Sequence, residues 1–96
     1  MIEFVVKSGP EAGRIYCLLE PEGTIGRDLD NTIALTDSKV SRKHVRFFTD
    51  GRSLRVADLA SRNGTYVDGR KIEGETQLSS LSQVRIGSTT LQFIDS

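Results

Sequence analysis

The sequence predicts an all-β fold, a sandwich of two twisted, mainly antiparallel sheets built from roughly ten short strands. Three observations predict it. Apolar residues recur with a period of two along the whole chain. Turn chemistry falls between almost every pair of these runs. No window carries a sustained helical stripe, and no run is long enough for a helix.

The first strand places Ile2, Phe4 and Val6 on one face, alternating with Glu3 and Val5. Ser8-Gly9-Pro10 reverses the chain, and a second run follows with Ile15, Cys17 and Leu19 as its predicted inward set. Thr24-Ile25-Gly26-Arg27 is a short third strand, and Asp30-Asn31 turns it toward Ile33 and Leu35. Val45 with Phe47 and Leu54 with Val56 form two further strands around Asp50-Gly51, and Asn63-Gly64 and Asp68-Gly69 mark later reversals. Asp50-Gly51 and Asp68-Gly69 read as tight hairpins, because Gly tolerates the positive φ of a twisted two-residue turn. Val84 with Ile86, then Leu91 with Phe93, close the ladder. β-branched and aromatic residues dominate these positions, as a pleated, half-buried surface prefers.

Ninety-six residues are expected to form one domain, 1–96, with a single modest core. Thirteen basic and thirteen acidic side chains cancel, so no global positive field favours nucleic acid. Positive charge is concentrated locally: Lys39, Arg42, Lys43 and Arg46 fall within eight residues. Cys17 is the only cysteine, which excludes an internal disulfide, and its apolar neighbours predict a small buried hydrophobe rather than a nucleophile. The N-terminal residues are too short and interrupted for a signal peptide, and no apolar stretch approaches a membrane span. A soluble, cytoplasmic, monomeric domain without membrane contact is the expectation.

Ser41, His44 and Asp58 supply the residue types of a hydrolase triad. However, Ser41 and His44 are close in the chain and no serine stands in a Gly-x-Ser-x-Gly elbow. One His and one Cys with scattered carboxylates match no metal-ligand spacing, and Asp28, Asp30 and Asp37 lack the glycine and distal glutamate of a calcium loop. There is no phosphate-cradling glycine loop of the nucleotide-hydrolase type. No enzyme activity, metal or cofactor is expected. What remains is a set of polar residues on loops: Gly26-Arg27, then Ser41-Arg42-Lys43-His44, then Ser61-Arg62-Asn63-Gly64-Thr65. Arg27 and Arg42 offer planar forks of N–H donors, and Ser41 and Asn63 add neutral donors, an inventory that suits a phosphate ester.

Gly26-Arg27, Ser41-x-x-His44 and Asn63-Gly64-Thr65, in this order on this strand ladder, resemble the forkhead-associated (FHA) domain. The resemblance covers essentially the whole chain, from the first strand and the Gly9-Pro10 turn to Val84-Arg85-Ile86-Gly87. It implies an FHA/SMAD-like sandwich of eleven strands, hence about 10–11 in all. Loops at one end would bind phosphothreonine peptides made by an upstream Ser/Thr kinase. Arg27 would be the principal phosphate clamp, Ser41 would donate its hydroxyl, Arg42 would add a phosphate or backbone contact, and Asn63 would fix the peptide main chain. Arg62 stands where the family often has a small hydroxylated residue. Gly26, His44 and Gly64 would form the scaffold of the site, and Lys39 would set peptide preference toward an acidic residue beyond the phosphothreonine. The family commonly has a Gly-Asp turn where this chain has Ser80-Leu81-Ser82-Gln83, a departure that concerns fold stability. The competing readings are a degenerate scaffold for an unmodified protein partner, a small hydrolase, and a non-specific phosphate or nucleic-acid binder.

Overall fold

The computed structural model describes residues 2–95, so both end residues of the predicted 1–96 span lie outside the described residues. Eleven strands run in chain order: β1 (Ile2–Ser8), β2 (Ile15–Leu18), β3 (Glu22–Gly26), β4 (Ile33–Ala34), β5 (Val45–Thr49), β6 (Leu54–Asp58), β7 (Thr65–Val67), β8 (Arg70–Lys71), β9 (Thr76–Leu78), β10 (Gln83–Ile86) and β11 (Thr89–Asp95). They form a six-stranded sheet, ordered β2-β1-β11-β10-β7-β8, and a five-stranded sheet, ordered β4-β3-β5-β6-β9. Every pairing is antiparallel except β3 with β4. Among the described residues no helix is long and apolar enough to cross a membrane.

The core lies between the sheets and follows the predicted alternation. Phe4, Val6, Val84, Ile86, Leu91 and Phe93 face inward from one sheet, and Ile25, Ile33, Val45, Phe47, Leu54 and Val56 from the other. Phe4 bridges the layers, with its ring centroid 5.8 Å from Phe47 edge-on and 5.8 Å from Phe93.

The second strand departs from its predicted orientation. Ile15 and Leu19 are exposed, Cys17 is an exposed free thiol, and Tyr16 and Leu18 pack against the core instead. The register is the reason: Tyr16 lies opposite Phe4 and Leu18 opposite Ile2, while Cys17 lies opposite Glu3. Cys17 is therefore not the buried hydrophobe its neighbours suggested.

The predicted turns also differ in detail. Asp68-Gly69 is a two-residue hairpin, with Val67 opposite Arg70 and both central residues at positive φ, 49° and 87°. Asp50-Gly51 is instead part of a longer loop, because the Thr49–Leu54 pair closes it. The Asp50 carboxylate accepts the Arg52 and Ser53 backbone N–H groups there. Asn63-Gly64 is no hairpin between neighbours, since it carries the chain from β6 in one sheet to β7 in the other. At the non-family turn, Leu81 adopts φ +74° while exposed, and its N–H donates to the Phe93 carbonyl. The Ser82 hydroxyl accepts the Ser79 N–H at 2.9 Å, closing that turn with a side chain.

Candidate functional site

Three connections meet at one end of the sandwich: β3 to β4, β4 to β5, and β6 to β7. Gly26 ends β3 in a buried position that no side chain could occupy, since a Cβ there would run into the Arg42 carbonyl and lie 2.8 Å from Asn31 Nδ2. That close approach lets the first two connections zip together. The Arg27 N–H donates to the Ser41 carbonyl at 3.0 Å, and the Asp28 N–H donates to the Arg42 carbonyl at 3.2 Å. Arg27 Nε donates to the Val40 carbonyl at 3.1 Å. This bond fixes one edge of the guanidinium, and its remaining N–H groups are free for an anion.

His44 joins the second connection to the third. Its ring is fully buried. Nδ1 accepts the Ser41 backbone N–H at 3.0 Å, and Nε2 lies 2.8 Å from the Gly64 carbonyl, to which it donates. Gly64 itself adopts φ +83°. The Ser41 hydroxyl accepts the Arg62 N–H at 3.0 Å, so its own proton is left to donate outward. Asn63 Nδ2 donates to the Lys39 carbonyl at 2.8 Å, leaving Oδ1 as an acceptor. Arg27, Lys39, Ser41, Arg42, Arg62 and Asn63 thus line a single open concavity, together with Ser38 and Val40. Every predicted binding residue is present in it, and Gly26, His44 and Gly64 lie beneath it as braces.

The triad residue types are not assembled. The Ser41 hydroxyl meets a backbone N–H, both His44 nitrogens are engaged by backbone, and Asp58 bonds Ser61 and Thr65. Among the described residues no cluster of His, Cys, Asp and Glu could hold a metal ion. The cleft presents cationic and neutral donors and no opposing carboxylate, which is the chemistry of anion capture.

Sequence reasoning missed the residues that hold these loops from below. Asn31 is buried and Nδ2 donates to the carbonyls of Asp28, 2.8 Å, and Arg42, 2.7 Å. Asp37 is buried and accepts from Lys39 N–H, Ser88 N–H and the Thr89 hydroxyl, at 2.7–2.9 Å. Asp58 accepts from the Ser61 N–H and the hydroxyls of Ser61 and Thr65, while Ser61 Oγ accepts the Gly64 N–H. Burial pushes both carboxyls up, but these hydrogen bonds together outweigh it and hold each below the usual aspartate value. The Asp58-x-x-Ser61 spacing could have signalled its local turn. Nothing local could have signalled the partners of Asp37 beyond Lys39, since Ser88 and Thr89 lie 51 and 52 residues away.

Comparison with known proteins places this geometry. Residues 23–87 match the family described as the FHA domain. The chain is 43% identical over 91 residues to an oxoglutarate dehydrogenase inhibitor of Corynebacterium diphtheriae, covering 95% of this chain and 63% of that protein. It is 39% identical over 90 residues to the glycogen accumulation regulator GarA of Mycolicibacterium smegmatis, covering 94% and 56% respectively. The chain therefore spans less than two thirds of either relative. Among solved structures, a chain from a structural and functional analysis of phosphothreonine-dependent FHA domain interactions superposes with a TM-score of 0.88. It is 32% identical, with 99% of this chain and 96% of that one covered.

Proposed function

The chain belongs to the FHA domain family of phosphothreonine-binding signalling modules, and from that premise we propose that Arg27, Ser41, Arg42, Arg62 and Asn63 capture the phosphothreonine of a kinase-modified protein. The observation that carries this reading is the half-satisfied state of the donors. Arg27 is held by one edge to Val40, and Ser41 accepts from Arg62, so each is fixed while donors remain free. A phosphothreonine brings roughly −1.5 to −2 charges and three acceptor oxygens. Hydrogen bonds to charged groups contribute about 1.5–3 kcal/mol each, so an arginine and two or three further donors suffice for micromolar affinity. Arg42 and Arg62 line the concavity with no carboxylate within ion-pair distance among the described residues, which supports their role in attracting the dianion.

Lys39 lines this concavity and also a second one, formed with Asn63, Tyr66, Arg85 and Gly87, where the Arg85 guanidinium stacks 4.2 Å from the Tyr66 ring centroid. Two cations beside the phosphate cleft favour an acidic residue a few positions beyond the phosphothreonine. A peptide array unchanged by Lys39→Glu would remove that assignment.

The test of the site is calorimetric titration with one peptide pool in three forms: phosphothreonine, phosphoserine and unmodified threonine. Binding confined to the phosphothreonine form, weakened at least about ten-fold by Arg27→Ala with the fold intact, is the expected result. Unchanged affinity in Arg27→Ala refutes the clamp. The name of the corynebacterial relative supports a second reading, in which an enzyme such as oxoglutarate dehydrogenase is the target. Binding of that enzyme without any phosphate would favour it.

A further inference from the structure

The two sheets have four edges, and three are blunted. β8 is Arg70–Lys71, both exposed and charged; β9 is flanked by exposed Glu73 and Glu75; β4 is two residues long with Ile33 buried. Charges and brevity of this kind keep sheet edges from pairing with other chains. β2 has no charge within the strand, and the two charges that flank it, Arg14 and Glu20, are of opposite sign. Its run Ile15-Tyr16-Cys17-Leu18-Leu19 carries no charge, with Ile15 57% and Leu19 83% exposed. The Val6 N–H donates to the Arg14 carbonyl at 2.8 Å, so by antiparallel alternation the N–H and C=O groups of Ile15 and Cys17 face away from β1, unpaired within the sheet.

The residues flanking this edge are complementary to themselves. When a second copy is laid antiparallel about a two-fold axis at Cys17, Tyr16 falls opposite Leu18, Ile15 opposite Leu19, and Arg14 opposite Glu20. Apolar meets apolar on both faces, and at each end Glu20 meets Arg14, which within its own chain also pairs with Glu11 at 3.0 Å. Pro21, which has no N–H to donate, closes the pairing beyond Glu20. A self-complementary patch of this form is the requirement for an isologous dimer.

We propose that β2 is the docking edge for a second copy of this chain, joining two six-stranded sheets into one continuous sheet, in contrast to the monomer expected from the sequence. The β1–β2 turn lies at the phosphate-site end, where Glu11 accepts the Thr36 N–H at 2.9 Å on the loop leading to Ser41. A two-fold axis across β2 therefore points the two concavities in opposite directions. Resting on the phosphothreonine reading, the dimer would link two separate phosphorylated partners rather than clamp two neighbouring phosphates on one short peptide.

Sedimentation velocity of the reduced chain up to about 1 mM tests the proposal independently of any phosphopeptide. The expected result is a concentration-dependent shift from 10.6 kDa to twice that mass. Glu20→Arg sets Arg14 against a like charge at both ends, and Cys17→Lys sets two cations together at the axis. Both positions are exposed, so the fold is kept, and each variant should weaken dimerisation at least ten-fold. Copper-catalysed oxidation gives a second readout, since directly opposite residues lie about 5.5 Å apart at Cα, within disulfide range. Wild type should then cross-link much faster than Glu20→Arg at equal concentration. A monomer throughout the range, or a dimer unaffected by either variant, overturns the assignment of β2.

Discussion

Replacing His44 by Phe probes the link between Ser41 and Gly64 separately from Arg27, the proposed clamp. Phe leaves no cavity, so the change acts through the two lost hydrogen bonds together with the overpacking of a slightly larger ring, both in the destabilising direction. The ring is fully buried, with Ser41 N–H at 3.0 Å and the Gly64 carbonyl at 2.8 Å as its partners. Phe satisfies neither, and an orphaned buried donor or acceptor costs about 1–3 kcal/mol. Two such groups give about 2–6 kcal/mol, a large share of the roughly 5–15 kcal/mol that holds a small domain folded. The chain has no tryptophan, so urea unfolding followed by far-ultraviolet circular dichroism is the suitable assay. His44→Phe should lower the midpoint without changing the slope. Affinity should fall as well, because Ser41 and the segment bearing Asn63 lose their common tether. A loss below about 1 kcal/mol with phosphopeptide affinity intact would refute the argument that this ring holds the site together.

Other perturbations probe the same construction. Gly26→Ala forces a methyl group into the Arg42 carbonyl and against Asn31; it should reduce both stability and phosphopeptide binding, read by thermal melting and calorimetry. Leu81→Gly should raise stability by about 0.5–1 kcal/mol, since a left-handed leucine costs about 1–2 kcal/mol and the side chain is exposed; an unchanged or lower urea midpoint would show that φ +74° carries no strain. Acid should destabilise the fold in a defined sense. Hydrogen bonds depress the Asp37 and Asp58 carboxyls against the opposing effect of burial, so their contribution is present above the ordinary value of 3.8 and is lost as pH falls through the lower folded values. The double variant Asp37→Asn/Asp58→Asn should flatten the acid limb of a stability–pH curve, and an unaltered limb would move the cause elsewhere.

Much of this was legible from residue order. Alternation from Phe4 to Phe93 reported a sandwich because a strand with one buried face must repeat every second residue. The residues proposed to bind were legible as a group because their motifs occupy short connections between well-marked strands, and the sandwich brings Arg27, Ser41 and Asn63 to one concavity.

The limits of that legibility have physical causes. In Ile15-Tyr16-Cys17-Leu18-Leu19 both alternating sets are apolar, so period alone cannot choose a face. Pairing with β1 decided it, placing Tyr16 with Phe4 inside and Cys17 with Glu3 outside. Asp37, the Asn31 amide nitrogen and the His44 ring are buried polar groups paired with groups distant in the chain, whereas Asn31 Oδ1 has no partner among the described residues. By itself, the sequence determined which surfaces alternate and which side chains could grip a phosphate. Only the tertiary structure decided which donors stay free to do so, because a hydrogen bond already made within the protein is unavailable to a ligand, and those bonds join segments far apart in the chain.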